Sequence, residues 1–242
     1  FGLASLVWVK DYPHDVGAYP DNIKAEGVDF KAQAEAVRSH KSAFTVSKLL
    51  RDKDMWCMGL GFGLLWMVTV GIVSQFVPRM ISVGNSQPAA LMMLTAAAVV
   101  GLFGSYFWGW LDQKVGTKPA SVVYSASYII ALLLLIFAKL PIFTYIAIVF
   151  VGLGIGGLLN LMPSMVISVY GKYDFTAANS LVSPIASLLQ KFAFLIMAVL
   201  LGVSGGDYAL PYGVFIVIDV IGAALLLCVT GKCKGKQDET QQ

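Results

Sequence analysis

Lys191 lies inside the long apolar run Ala177–Val203. Ser180, Ser183 and Ser187 precede it at helical spacing, and Gln190 is beside it. At 3.6 residues per turn these positions form one stripe about 100° wide. A polar stripe ending in an ammonium group suits a water-filled path for an anion. Insertion scales put a lysine at the centre of a membrane helix at about 2.5–3.5 kcal/mol, so such a residue faces protein or water. Asp219 is the other deep charge, near the middle of Leu210–Val229. At about 1.5 Å per residue, it falls within one or two helical turns of Lys191 in depth if the two segments run antiparallel. Lys191 could bind a substrate carboxylate, form a buried salt bridge with Asp219 that holds the bundle together, or snorkel to the surface. Asp219 could instead take up a proton and release Lys191 to substrate. Its helical neighbours Phe215, Ile216, Gly222 and Ala223 are apolar or small, which suits packing rather than a channel wall.

Other polar groups within apolar runs are Trp66, Gln75 and Asn160. Trp66 could wall a cavity with Lys191, Gln190 and Ser187, and any of these polar groups could bond a neighbouring helix. Gly152-Leu153-Gly154-Ile155-Gly156-Gly157 has the spacing of a dinucleotide fingerprint, but it lies inside an apolar run with no βαβ unit around it. A close packing seam or a hinge is the better reading, and Pro163 is expected to kink the helix a turn later. Cys57, Cys228 and Cys233 lack metal spacing. His14 and His40 fall in a polar segment, where Asp11, His14 and Asp15 read as a solvated turn rather than a metal site. No metal and no cofactor is expected, and the clustered His, Asp or Cys of a membrane enzyme is missing.

The elements that carry these residues follow from composition. The chain is 57% hydrophobic and 13% charged, with a mean hydropathy of +0.75. A soluble domain of this length needs far more charge on its surface. Apolar segments of membrane length are predicted at Met55–Val77, Ala89–Leu111, Pro119–Phe137, Pro141–Tyr170, Ala177–Val203 and Leu210–Val229. Helix is required because it closes its own backbone hydrogen bonds in lipid, and the alternation of a membrane barrel is absent. The expected fold is therefore an all-α integral membrane bundle of six transmembrane helices, residues 55–230. Residues 1–9 read as the end of a preceding helix, 10–54 as a linker rich in turn formers, and 231–242 as a tail. Fourteen of the 17 basic residues fall in the linker, in the loops holding Lys114, Lys118 and Lys172, or in the tail. That asymmetry predicts a multi-pass protein whose linker and C-terminus are cytoplasmic.

The loop Gly109-Trp110-Leu111-Asp112-Gln113-Lys114-Val115-Gly116-Thr117-Lys118 joins two of these spans. It resembles the cytoplasmic loop signature of the major facilitator superfamily of transporters, roughly Gly-x-Leu-x-Asp-basic-x-Gly-basic-basic. Tyr12–Asp21 and Tyr170–Phe175 are similar to segments of the oxalate/formate antiporter branch. The resemblance implies the second half of a twelve-helix fold, whose missing N-terminal six-helix half would be its partner. It also implies a secondary transporter in the cell membrane that moves a small organic anion by exchange or proton symport. A transporter-like sensor or non-transporting half is the alternative, and no nucleic acid is involved. In such proteins the loop helps close the cytoplasmic gate, which assigns gating to Gly109, Asp112, Gly116 and Lys118. Asp112 could face the positive N-terminus of a neighbouring helix, and Gly116 permits a turn with positive φ. Gln113 and Thr117 replace the usual basic residues. The branch carries a substrate-binding basic residue in the helix of Lys191, whereas Ala89–Leu111 lacks the branch's arginine, which favours a monocarboxylate.

Overall fold

The computed structural model describes Ser42, residues 44–138 and residues 140–235. Expectations for Phe1–Val9, most of the linker with its histidines, Lys139 and Lys236 lie outside them. The chain divides into two compact units, Phe1–Ser42 and Ala43–Gln242, and the architecture below is that of the second. Its helices are α1 (Val46–Leu50), α2 (Lys53–Ser82), α3 (Gln87–Val115), α4 (Thr117–Ile136), α5 (Pro141–Ile155), α6 (Leu158–Val203) and α7 (Ala209–Leu227), with no strand among the described residues. Their starts follow from local chemistry. Thr45, Asp52 and Ser86 accept hydrogen bonds from the backbone N–H of Lys48, Asp54 and Ala89, each satisfying a first-turn donor. Pro88 and Pro141 occupy first-turn positions, where the missing N–H is harmless.

α5 and α6 form one apolar stretch, Pro141–Val203, of 63 residues. At about 1.5 Å per residue this is roughly three hydrocarbon thicknesses, so it cannot be a single crossing. Gly171, at φ 76° and ψ 167°, divides α6 into two legs. α2, α3, α4, α5 with the first leg of α6, the second leg of α6, and α7 therefore make six crossings. Hydrogen bonds between helix ends agree with that alternation. The start of α2, the end of α3, the start of α4, the Gly171 bend and the end of α7 meet on one side. The end of α2 meets the end of α4 and the start of α7 on the other.

α2 is the core helix, burying Met55, Met58, Phe62, Leu65, Ile72 and Phe76. Gly59 and Gly63 lie against Ile185, Ala186 and Leu189 of α6, and Gly61 and Gly71 against Leu226 and Phe215 of α7. A second seam joins α3 to α5 and α6. A Cβ at Gly152 would press on the Ala97 carbonyl, and one at Gly156 on the Gly101 carbonyl. Small residues let membrane helices approach this closely, as the spacing suggested.

The helix discontinuity falls at Gly156–Gly157, between α5 and α6, whereas Pro163 lies within α6 as assigned. Side chains donate to carbonyls at the Gly156–Gly157 break: Trp108 Nε1 to that of Leu153 at 2.7 Å, and the Tyr124 hydroxyl at 3.1 Å to that of Gly154, which also accepts from Gly157 N. The Thr69 hydroxyl lies 2.9 Å from the Tyr124 oxygen and shares a hydrogen bond with it. Unsatisfied carbonyls are unfavourable in lipid, so these donors stabilise the break.

Candidate functional site

The second leg of α6 has three faces. Ala178, Val182, Ala186, Ala193 and Met197 are buried against the bundle. Leu188, Phe192, Leu195 and Val199 form an exposed apolar face suited to lipid. Between them runs an exposed polar face of Ser180, Ser187 and Lys191, bordered by half-buried Ser183 and Gln190. Lys191 has no hydrogen-bond or ion-pair partner among the described residues.

Asp219 is elsewhere. It is fully buried in α7, where the Ser125 hydroxyl of α4 donates to its Oδ2. No ion pair joins it to Lys191 among the described residues, so the depth match does not translate into contact. Equal depth leaves each side chain's azimuth undetermined, and here one points into the bundle and the other out. Trp66 is half-buried and packs against the core. The Tyr208 hydroxyl donates to Gln75 Oε1 at 3.2 Å, and Asn160 Nδ2 donates to the Ser105 carbonyl at 2.7 Å. Both amides bond neighbouring helices.

The loop from Gly109 to Lys118 is a built junction. Ser164 Oγ, from the first leg of α6, donates to Asp112 Oδ2 at 2.5 Å. Thr117 Oγ1, at the first residue of α4, lies 3.3 Å from the same hydroxyl and donates to it. Asp112 therefore meets a side-chain hydroxyl within α6 instead of bare N-terminal amides, because Ser164 reaches it first. Thr117, in a place the pattern gives to a basic residue, joins α4 to that contact. Gly116 adopts φ 87° between α3 and α4, a left-handed value that a side chain disfavours. Gly109 is half-buried, with only Asn160 at the limit of contact of an added Cβ. Lys118 donates to the Val229 carbonyl at the end of α7, and Lys114 lies over the Trp110 ring. A cleft of about 480 Å³ opens here, with Ser105, Gly109, Asp112 and Asn160 in its wall. Lys191 is not part of it.

Beside this junction is a contact that sequence reasoning did not anticipate. Lys234 Nζ lies 2.6 Å from Asp52 Oδ1 and 2.5 Å from Asp54 Oδ2. Thr230 N donates to Asp54, and the Tyr170 hydroxyl to Asp52. The tail thereby ties α7 to the start of α2 and to the Gly171 bend. Partial burial works against ionisation of Asp52, but hydrogen bonds from Lys234, Asp54 N and Tyr170 outweigh it and hold the carboxyl below its usual range. Burial likewise opposes the Lys234 charge, and its two carboxylate partners outweigh that and raise it. Arg79, at the other end of the bundle, is 7% exposed. Its guanidinium donates to the Leu135 carbonyl at 2.9 Å and the Ile136 carbonyl at 3.0 Å, and it stacks on Tyr208. It satisfies the open carbonyls that end α4. Among the described residues no cluster of His, Cys, Asp or Glu could hold a metal ion.

Residues 1–190 match the sequence model of the Major Facilitator Superfamily. The chain belongs to that superfamily. The match takes in the Gly109–Lys118 junction and ends one residue before Lys191. No curated protein matches the chain. Major facilitator proteins are membrane transporters rather than enzymes, and the helices of this chain are those of a multi-pass membrane protein.

Proposed function

We propose that this chain is the second half of a secondary active transporter that moves a small organic anion, a carboxylate, across the cell membrane by alternating access. The observation that carries the reading is the exposed polar face of α6, which ends in Lys191 and runs beside a separate exposed apolar face. An ammonium pointing into lipid at this depth is disfavoured, and a water-filled cavity shared with a partner half resolves that. The partner is the N-terminal six-helix half. Lys191 binds the substrate carboxylate, Ser187 and Gln190 contribute hydrogen bonds, and Trp66 supports the cavity wall from α2. Counter-anion exchange and proton symport both fit this arrangement, and the absence of Arg and Lys from residues 89–111 favours a monocarboxylate.

The side carrying Lys114, Lys118, Lys172 and Lys234 is the cytoplasmic one, by the excess of basic residues there. Gly109, Asp112, Gly116 and Lys118 then belong to the cytoplasmic gate, with the break at Gly156–Gly157 as a point of flexure above it. Similarity of the Tyr12–Asp21 and Tyr170–Phe175 segments to oxalate/formate antiporters supports the choice of substrate class. The test is uptake and exchange of labelled mono- and dicarboxylates by the full-length protein in proteoliposomes, beside a Lys191→Ala variant reconstituted to the same density. Uptake is expected to fall at least tenfold in the variant, the equivalent of about 1.4 kcal/mol. Undiminished uptake by Lys191→Ala, or no carboxylate carried at all, would overturn the assignment.

A further inference from the structure

The transport reading leaves the buried carboxyl group of Asp219 without a task. Asp219 occupies the middle of α7, fully buried, with Ser125 donating to Oδ2 and no hydrogen-bond partner for Oδ1. Among the described residues the surrounding elements offer no counter-charge. α4 presents Ser125, and the phenols Tyr124 and Tyr128 near enough to interact electrostatically with the carboxyl group. α2 presents Gly61, Leu64 and Leu65 against Gly222, one turn along α7, and Gly71 against Phe215. On α7 itself the Tyr212 hydroxyl is buried without a partner, as is that of Tyr128 on α4. The second leg of α6 has Lys191, which is exposed and unpaired with Asp219. A bare carboxylate in this place would be a buried charge with one hydroxyl donor, and buried charges persist when paired or neutralised.

We propose that Asp219 is a proton-binding site, a neutral carboxylic acid whose proton sits on Oδ1 while Oδ2 accepts from Ser125. Release breaks the Oδ1–H bond, leaves the electron pair on the carboxylate and passes the proton to water. That places a charge in the α4–α7 seam and weakens it. Use of this step to drive transport rests on the transporter reading, whereas the proton site does not.

The test is infrared spectroscopy of the full-length protein in lipid nanodiscs, titrated with pH. Wild type is expected to show a protonated-carboxyl C=O stretch at neutral pH that is lost on alkalinisation and is absent from Asp219→Asn. Ser125→Ala is expected to keep the band and shift its frequency, because the bond to Oδ2 is gone. Thermal unfolding supplies an independent reading: alkaline pH should lower the melting temperature of wild type more than that of Asp219→Asn. Absence of any band that depends on Asp219, or identical pH profiles of wild type and Asp219→Asn, would overturn the proposal. If the band is present and no carboxylate is transported, the proton site stands and the anion assignment falls.

Discussion

The two ends of this bundle are held by different chemistry. At the Arg79 end, one buried guanidinium closes α4 by binding backbone carbonyls and stacks on a tyrosine of α7. At the Asp112 end the work is divided among three carboxylates, several hydroxyls and lysines, most of them half-buried or exposed, with Asp54 and Tyr170 buried. A buried cation that serves carbonyls has no ready replacement for its partners. Half-buried hydroxyls and carboxylates trade partners with water at little net cost. The contrast is between a fixed end and an end whose contacts can be exchanged, the end at which we propose the gate.

The sharpest way to break the contrast is Arg79→Met. It removes the charged donor from the Leu135 and Ile136 carbonyls and should cost about 2 kcal/mol in stability, measured by unfolding of the reconstituted protein, with Arg79→Lys recovering part. A smaller effect, about 1 kcal/mol, is expected for Ser164→Ala, together with faster labelling of a cysteine introduced at Gln113 by a membrane-impermeant thiol reagent. Should Ser164→Ala destabilise as much as Arg79→Met, the two ends would not differ as argued.

The smallest effect belongs to Lys234→Gln. The lysine side chain is 33% exposed, so solvent screening keeps the loss below about 1 kcal/mol. Its pH dependence is specific. The Asp52 carboxyl is held below its ordinary 3.8, so its contribution is complete above that value and lost as pH falls through the lowered one. The Lys234 ammonium is raised above its ordinary 10.5, so its contribution is complete below that value and lost as pH rises through the raised one. The stability difference between wild type and Lys234→Gln should therefore be flat across the neutral range and vanish at both extremes.

Much of the membrane fold was legible because apolar length and backbone satisfaction leave few alternatives. The six segments read from hydropathy correspond to the six crossings, and Gly152 and Gly156 sit at a close seam as their spacing suggested. Lys191 could be singled out because a charge inside an apolar run is rare. Its exposure, and the separate apolar face beside it, required the packing of α6. Arg79 was illegible because its partners are carbonyls, which every residue has. Ser125 and Asp219 are 94 residues apart, and nothing local in either segment marks the other. The discontinuity between α5 and α6 falls within the glycine run whose spacing had marked it as a seam or hinge, and Pro163 lies inside α6.

The side chains that fill the break between α5 and α6 also bear on how the protein is made. Trp108 and Tyr124 precede Leu153 and Gly154 in the chain, so during vectorial synthesis both donors enter the membrane before the carbonyls that need them. The later segment can be matched to waiting partners on arrival, without first remaining half-satisfied in lipid. Exchanging the order of these segments in a permuted gene would reverse that sequence of events while leaving every final contact the same.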